Sequence, residues 1–299
     1  MSDRKLTPET LAVLEKSAEE RIQYVQSDKW VAYDFAKVLL LKMERLLNAP
    51  ARTRVKSMLV VGKPNSGKTT LKKKFLRSHP VGECPEGTRS LFHILHIEAP
   101  SKVDPAAFCM KILDALGAPY PSRAPFNMLA KQVDTLLKEL SVRMIVVDEF
   151  HNFLTGRADM LEALLNLIRG ISNVRGITFL AFGTPSALEV VAREPQLSSR
   201  FTREVLPRWD GPHNVESLMK LLAALEKTLP LKRPSNLHDN PLREKIAAMS
   251  EGILGEIVDL LTEGTIAAIE RGEERITPAL LNSLGWLTPT EREQFTYED

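Results

Sequence analysis

One stretch constrains this chain more than any other. The apolar run Val55 to Val61 leads directly into Gly62-Lys63-Pro64-Asn65-Ser66-Gly67-Lys68-Thr69, and helical spacing follows from Lys68 to Arg77. A buried strand, a glycine-bounded loop and a helix in that order match the Walker A pattern in full. Gly62 and Gly67 permit backbone angles that turn successive N–H groups toward one anion. The helix adds its free N–H groups and its positive dipole end at the same point. The ligand this predicts is a nucleoside triphosphate, ATP by preference. Its phosphates would lie against Gly62, Lys63, Pro64, Asn65, Ser66, Gly67, Lys68, Thr69 and Thr70. Lys68 is expected to reach the β- and γ-phosphates, and the Thr69 hydroxyl to bind Mg²⁺. The competing reading is a glycine-rich βα turn without a ligand.

A second apolar strand, Met144-Ile145-Val146-Val147, ends in two acids, Asp148 and Glu149. This is the Walker B pattern. Asp148 is expected to hold the water shell of the metal, and Glu149 to orient and polarise the attacking water. An Asp-Glu pair favours hydrolysis over transfer of the phosphoryl group to a small molecule. Thr184 follows another apolar run, Ile177 to Phe182, and is the candidate polar sensor of the γ-phosphate. Arg200, in Gln196-Leu197-Ser198-Ser199-Arg200-Phe201, is the candidate arginine finger, with Arg193 and Arg203 as rivals. A finger acts on phosphate held by a neighbouring subunit, so this reading predicts a shared site and an oligomer.

Strand and helix patterns alternate as far as about residue 207. That predicts an α/β fold with a central parallel sheet flanked by helices. Strands are expected at 91–97, 143–147, 177–182 and 201–206, and helices at 8–26, 30–48, 105–116, 126–140, 160–171 and 185–192. The last third shows only helical segments, near 214–228, 241–249, 255–271 and 277–284. The expected organisation is an N-terminal helical segment (1–50), an α/β P-loop domain (51–210), a helical lid domain (211–285) and a tail (286–299). Forty basic against 38 acidic residues give a net charge of +2, so any nucleic-acid surface must be local. Cys84 and Cys109 have no metal-ligand spacing, and a reducing cytoplasm suits them. The N-terminus has no apolar signal segment, and no run approaches the ~20 apolar residues of a membrane helix. The expectation is a soluble cytoplasmic protein with no membrane partner. Met43, Met58, Met110 and Met128 fall on apolar faces as core filler, and His79, His93 and His96 read as structural.

Taken together, the motifs resemble the AAA+ ATPases of the TniB type, regulators of bacterial transposons related to TnsC. The resemblance rests on Gly62–Phe75, Met144–Leu154 with its Asp-Glu-Phe-His-Asn run, Gly183–Ala187 and Pro195–Trp209. It extends to Leu229–Leu237 (Leu-Pro-Leu-Lys-Arg-Pro-Ser-Asn-Leu) and Glu251–Thr277. It implies a protein that binds ATP and Mg²⁺ and self-associates as rings or helical filaments on double-stranded DNA. Such a protein recruits a DDE transposase of the TniA/TnsB kind, and a TniQ-like adaptor is a further candidate partner. ATP hydrolysis would then drive disassembly. Many AAA+ proteins carry an arginine where the third lid helix begins. Here Gly255-Glu256-Ile257 stands in that place, which puts sensing of the γ-phosphate by the lid in doubt.

For DNA contact the candidates are Lys102, Arg123 and Lys131, in or near loops expected to line the pore of such an assembly. The denser run Lys72, Lys73, Lys74 and Arg77 reads as a solvated or intersubunit face. Two other readings compete. One is a nucleotide-switched scaffold of the helicase-loader or signalling type. The other is a small-molecule P-loop kinase, disfavoured by the helical C-terminal third and the lack of an acceptor-binding lid.

Overall fold

The computed structural model describes residues 6–27, 29–50, 54–83, 90–91 and 93–295. Cys84, the rest of 84–89, Phe92 and the ends 1–5 and 296–299 lie outside the described residues. The N-terminal region forms α1 (Pro8–Leu14), α2 (Ala18–Gln26) and α3 (Asp34–Leu47). The single helix expected over 8–26 is thus two. Ser17 separates them with a capping box: its hydroxyl accepts the Glu20 N–H, and the Glu20 carboxylate accepts the Ser17 N–H. That reciprocal pair satisfies two backbone donors and starts a new helix.

The chain then builds β1 (Ser57–Val61), α4 (Lys68–Arg77), a small antiparallel pair β2 (Gly82–Glu83) and β3 (Ser90–Leu91), and β4 (Ile94–Glu98). Next come α5 (Pro105–Ala115), α6 (Phe126–Glu139), β5 (Met144–Asp148), a 3₁₀ turn Phe150–Leu154, α7 (Ala158–Arg175) and β6 (Thr178–Gly183). Two short helices, α8 (Ala187–Ala192) and α9 (Pro195–Ser198), lead to β7 (Phe201–Val205). The β2–β3 pair and α9 have no counterpart in the sequence expectations.

Contacts divide the chain into two compact units, and Val38–Pro64 with Lys68–Leu206 form the α/β unit. Its five-stranded sheet has the order β4-β5-β6-β1-β7, parallel throughout. Every residue of β1 and β6 is buried, as are the first four of β5. Helices on both faces demand this, and it is why those strands read as unbroken apolar runs. The edge strands β4 and β7 carry mixed burial patterns and a weaker signal. Phe108, Phe150 and Phe153 are fully buried in the core, with the 150–153 ring pair 4.9 Å apart. Met43 and Met58 are buried and Met110 packs against the core, but Met128 is 48% exposed on the first turn of α6. The expectation for Met128 fails because α6 turns Leu129, Val133 and Leu137 inward instead.

The second unit comprises Met1–Lys37, Asn65–Gly67 and Pro207–Asp299. It holds α10 (Val215–Glu226), α11 (Asn240–Met249), α12 (Leu254–Glu270), α13 (Pro278–Asn282) and α14 (Pro289–Phe295) around a leucine-rich core that includes Trp209. Arg21 is buried there; its guanidinium donates to the Pro230 carbonyl (2.9 Å) and to Glu274 (2.9 Å). Gly255, in the first turn of α12, donates its N–H to the Asn65 carbonyl at 2.8 Å. A Cβ at 255 would fall 1.9 Å from Asn65 Oδ1. A side chain at 255 would therefore have to displace the Asn65 amide.

One carboxylate holds the C-terminal end of the Leu229–Leu237 segment, and Glu274 holds its middle by accepting the N–H groups of Lys232 and Arg233. Buried Glu226 accepts the N–H groups of Ser235 (2.8 Å), Asn236 (2.9 Å) and Leu237 (3.0 Å). Charge-assisted bonds of this kind are worth ~1.5–3 kcal/mol each and are not additive. Glu226→Ala should lower unfolding stability by about 3 kcal/mol in urea titrations followed by circular dichroism, with Glu226→Gln losing less. A loss under ~0.5 kcal/mol, typical of surface changes, would show that the segment holds itself.

Candidate nucleotide site

The parallel sheet brings Val61, Glu98, Asp148, Gly183 and Val205 to one edge. The chain leaves β1 there, with the Gly62 N–H donating to the Gly183 carbonyl (3.2 Å). Asn65 (φ 58°) and Gly67 (φ 91°) adopt left-handed backbone, which glycine takes freely and asparagine tolerates. The Lys68 ammonium folds over the loop, donating to the carbonyls of Gly62 (2.6 Å) and Lys63 (2.7 Å). Burial pushes its pKa below the ordinary lysine value, while Glu149 and Asp148 pull it back up. Both acids therefore act electrostatically on the loop lysine. The Ser66 hydroxyl is buried and has no hydrogen-bond partner among the described residues. A buried hydroxyl without a partner is costly, and phosphate oxygens would supply acceptors for it. The hard oxygens of Thr69 and Asp148 suit Mg²⁺.

Asp148 closes β5, and its Oδ1 accepts the Glu149 N–H at 3.0 Å. Its Oδ2 is ion-paired with Lys72 Nζ. The expectation for Lys72 is overturned here: the residue is buried, with only 8% of its surface exposed, and does not lie on a solvated face. One helical turn after Lys68, it shares that residue's face of α4 and so meets the acids at the sheet edge. Lys73, Lys74 and Arg77 are exposed.

Glu149 sits at φ 51°, a left-handed conformation that costs a β-carbon residue ~1 kcal/mol or more. Its carboxylate lies 3.3 Å from His151 Nδ1, and the same nitrogen faces the Thr184 N–H at 3.5 Å. The Thr184 hydroxyl bonds Ser186 at 2.8 Å. His151 Nδ1 thus lies near both the predicted glutamate and the predicted sensor, and it serves one at a time: protonated it donates to Glu149, unprotonated it accepts from Thr184. Sequence reasoning quoted it only within the Asp-Glu-Phe-His-Asn run; its signal is a second polar group two residues beyond the glutamate.

Arg200 lies at the other end of the sheet, where its carbonyl accepts the N–H of Ser57, the first residue of β1. Five strand residues at ~3.3 Å each separate that point from the phosphate loop, roughly 16 Å. Arg200 is consequently remote from its own chain's loop. It bonds Asn173, and its Nε is buried without a partner. Arg203 donates to Ser198 Oγ (2.6 Å), and Arg193 ends α8 in an exposed position.

Lys102, Arg123 and Lys131 are all exposed. They are not gathered at one point along the chain: Lys102 stands before α5, and the other two stand beyond it.

Several solved structures share this fold. The ORC2 protein of Aeropyrum pernix, in ADPNP–ADP complexes, has 18% identity and a TM-score of 0.57, covering 88% of this chain and 71% of that one. The ORC1 protein of Aeropyrum pernix in complex with DNA has 18% identity and a TM-score of 0.58, covering 88% and 68%. Cdc6p of Pyrobaculum aerophilum has 16% identity and a TM-score of 0.57, covering 86% and 68%. At these identities the likeness shows the fold, that of an AAA+ P-loop ATPase. A comparison with curated proteins finds no match. Residues 21–211, more than half of the 299-residue chain, match the family described as bacterial TniB protein, and the chain accordingly belongs to the TniB family.

Proposed function

We propose that this TniB-family chain binds ATP with Mg²⁺ at Gly62–Thr70, assembles with it on double-stranded DNA, and hydrolyses it to disassemble. On DNA it would select the target for, or recruit, a DDE transposase, with a TniQ-like adaptor as a further partner. The observation that carries the nucleotide chemistry is the meeting of the phosphate loop with Asp148 and Glu149 at one sheet edge, where both acids act on Lys68. In this reading Thr69 and Asp148 would hold the metal, which supplies charge neutralisation on the phosphates. Glu149, steadied by His151, orients the attacking water, and Thr184 monitors the γ-phosphate. Arg200, remote from its own loop, serves the loop of a neighbouring copy. Family membership supports the transposition role, and the likeness to an ORC1 protein in complex with DNA agrees with a DNA-bound assembly. Lys102, Arg123 and Lys131 remain the proposed DNA contacts.

One observation favours a second reading, a scaffold switched by nucleotide binding with little turnover. Lys72 already neutralises Asp148, so a metal must displace an ammonium before it gains that ligand. Slow, regulated hydrolysis fits both readings.

Electron microscopy with double-stranded DNA separates them from a soluble small-molecule enzyme. A non-hydrolysable ATP analogue should give ordered assemblies and ADP should not; a monomer under both conditions would end the assembly reading. Lys68→Ala should lose nucleotide binding and assembly together. Glu149→Gln should bind ATP and DNA but fail to release them, and normal turnover in that variant would remove Glu149 from its role. Lys72→Met should lower the Mg²⁺ concentration for half-maximal binding of a fluorescent ATP analogue by about tenfold, one ion pair's worth of ~1.4 kcal/mol. An unchanged Mg²⁺ requirement would show that Lys72 does not compete with the metal.

A further inference from the structure

A cavity of about 560 Å³ opens at the edge of the sheet opposite the phosphate loop. Lys42, Arg45, Lys56, Arg143 and Arg175 line it, against a single acid, Glu204. Two of the cations are already matched: Lys42 bonds Glu204 (2.7 Å), and Arg175 bonds Asp134 (2.6 Å). Among the described residues Arg45, Lys56 and Arg143 have no acidic partner. The floor is apolar, formed by buried Val55, Met58 and Val142. An occupant must therefore bring two or three negative charges together with a hydrophobic side chain. Duplex DNA brings only the charges. The Lys56 amine also touches the Ser199 carbonyl (3.4 Å), next to Arg200. The cavity thus adjoins the arginine proposed to face a neighbouring subunit.

The chain itself contains a segment of the required chemistry. Phe295-Thr296-Tyr297-Glu298-Asp299 carries two aromatic rings and two carboxylates and has no basic residue. The preceding cation, Arg292, is already paired with Glu256. We propose that this basic, apolar-floored cavity receives the Phe295–Asp299 segment of a second copy of the chain. Glu298 and Asp299 would meet Arg45, Lys56 and Arg143, and an aromatic ring would cover the Val55–Met58–Val142 floor. The contact would link successive subunits independently of nucleotide. Its placement between copies rests on the self-association proposed above, but the pairing of segment and cavity does not.

The test is a fluorescently labelled peptide of residues 286–299, titrated with the full chain and followed by anisotropy without nucleotide. Saturable binding is expected, weakened about tenfold or more by Lys56→Glu or Arg143→Glu in the protein. Phe295→Ala with Tyr297→Ala in the peptide should weaken it similarly. Lys56→Gln, at an exposed position, gives the same direction if a charge reversal fails to fold. Carbodiimide cross-linking of mixed isotope-labelled and unlabelled chains should join Lys56 of one copy to Glu298 or Asp299 of another. Cross-links confined to single chains would overturn the pairing between copies. Peptide binding indifferent to the cavity variants would overturn the proposal, and loss of DNA retention in those variants alone would make the cavity a DNA surface. Intact peptide binding in a protein that fails to assemble with ATP on DNA would sink the functional reading and leave the docking site standing.

Discussion

Parallel pairing of β1 with β6 on one side and β7 on the other is the constraint on which the site depends. It places β1 inside the sheet, so the loop that follows emerges from a rigid, buried platform. Parallel direction then gathers every strand's C-terminal end at one edge. Asp148 and Gly183 arrive beside the loop without any further device. The same direction sends Arg200 and the basic cavity to the opposite edge. On the proposed reading of Arg200, that separation is what calls for a second copy to complete the site.

Charge at the loop edge is balanced within the protein. Two acids face two lysines that stand one turn apart on α4: Lys68 folds over loop carbonyls, and Lys72 pairs with Asp148. Burying Asp148 without a counter-ion would be costly, and Lys72 removes that cost. The ammonium occupies the carboxylate that a metal would use. On the proposed reading, nucleotide and metal would rearrange this charge as well as fill space. The left-handed backbone at Glu149 fits this picture, since strain at such a residue persists only where the surroundings impose it.

Much of the fold was legible because its physics is local. Strands β1, β5 and β6 are covered on both faces and read as apolar runs, and α4, α5, α6, α11 and α12 appeared within a residue or two of their ends. The misses are equally physical. The helix break at Ser17 was written in Ser17-Ala18-Glu19-Glu20, a capping-box spacing that apolar periodicity alone passes over. The exposure of Met128 depends on which face α6 turns inward. The short α9 and α14 are too brief for periodicity to declare.

The sequence by itself determined that a phosphate loop, an acidic strand end and a candidate finger exist, because each depends on residue type and spacing within a few positions. It also marked β1, β5 and β6 as apolar strands. Tertiary structure alone decided the strand order, the approach of His151 to Glu149, the packing of the Asn65 amide on Gly255, and the burial of Lys72 against Asp148. The strand order, the Gly255–Asn65 approach and the Lys72–Asp148 pair join residues tens to nearly two hundred positions apart, while His151 and Glu149, two positions apart, meet through the left-handed backbone at Glu149; no local pattern encodes which group will fill a given space.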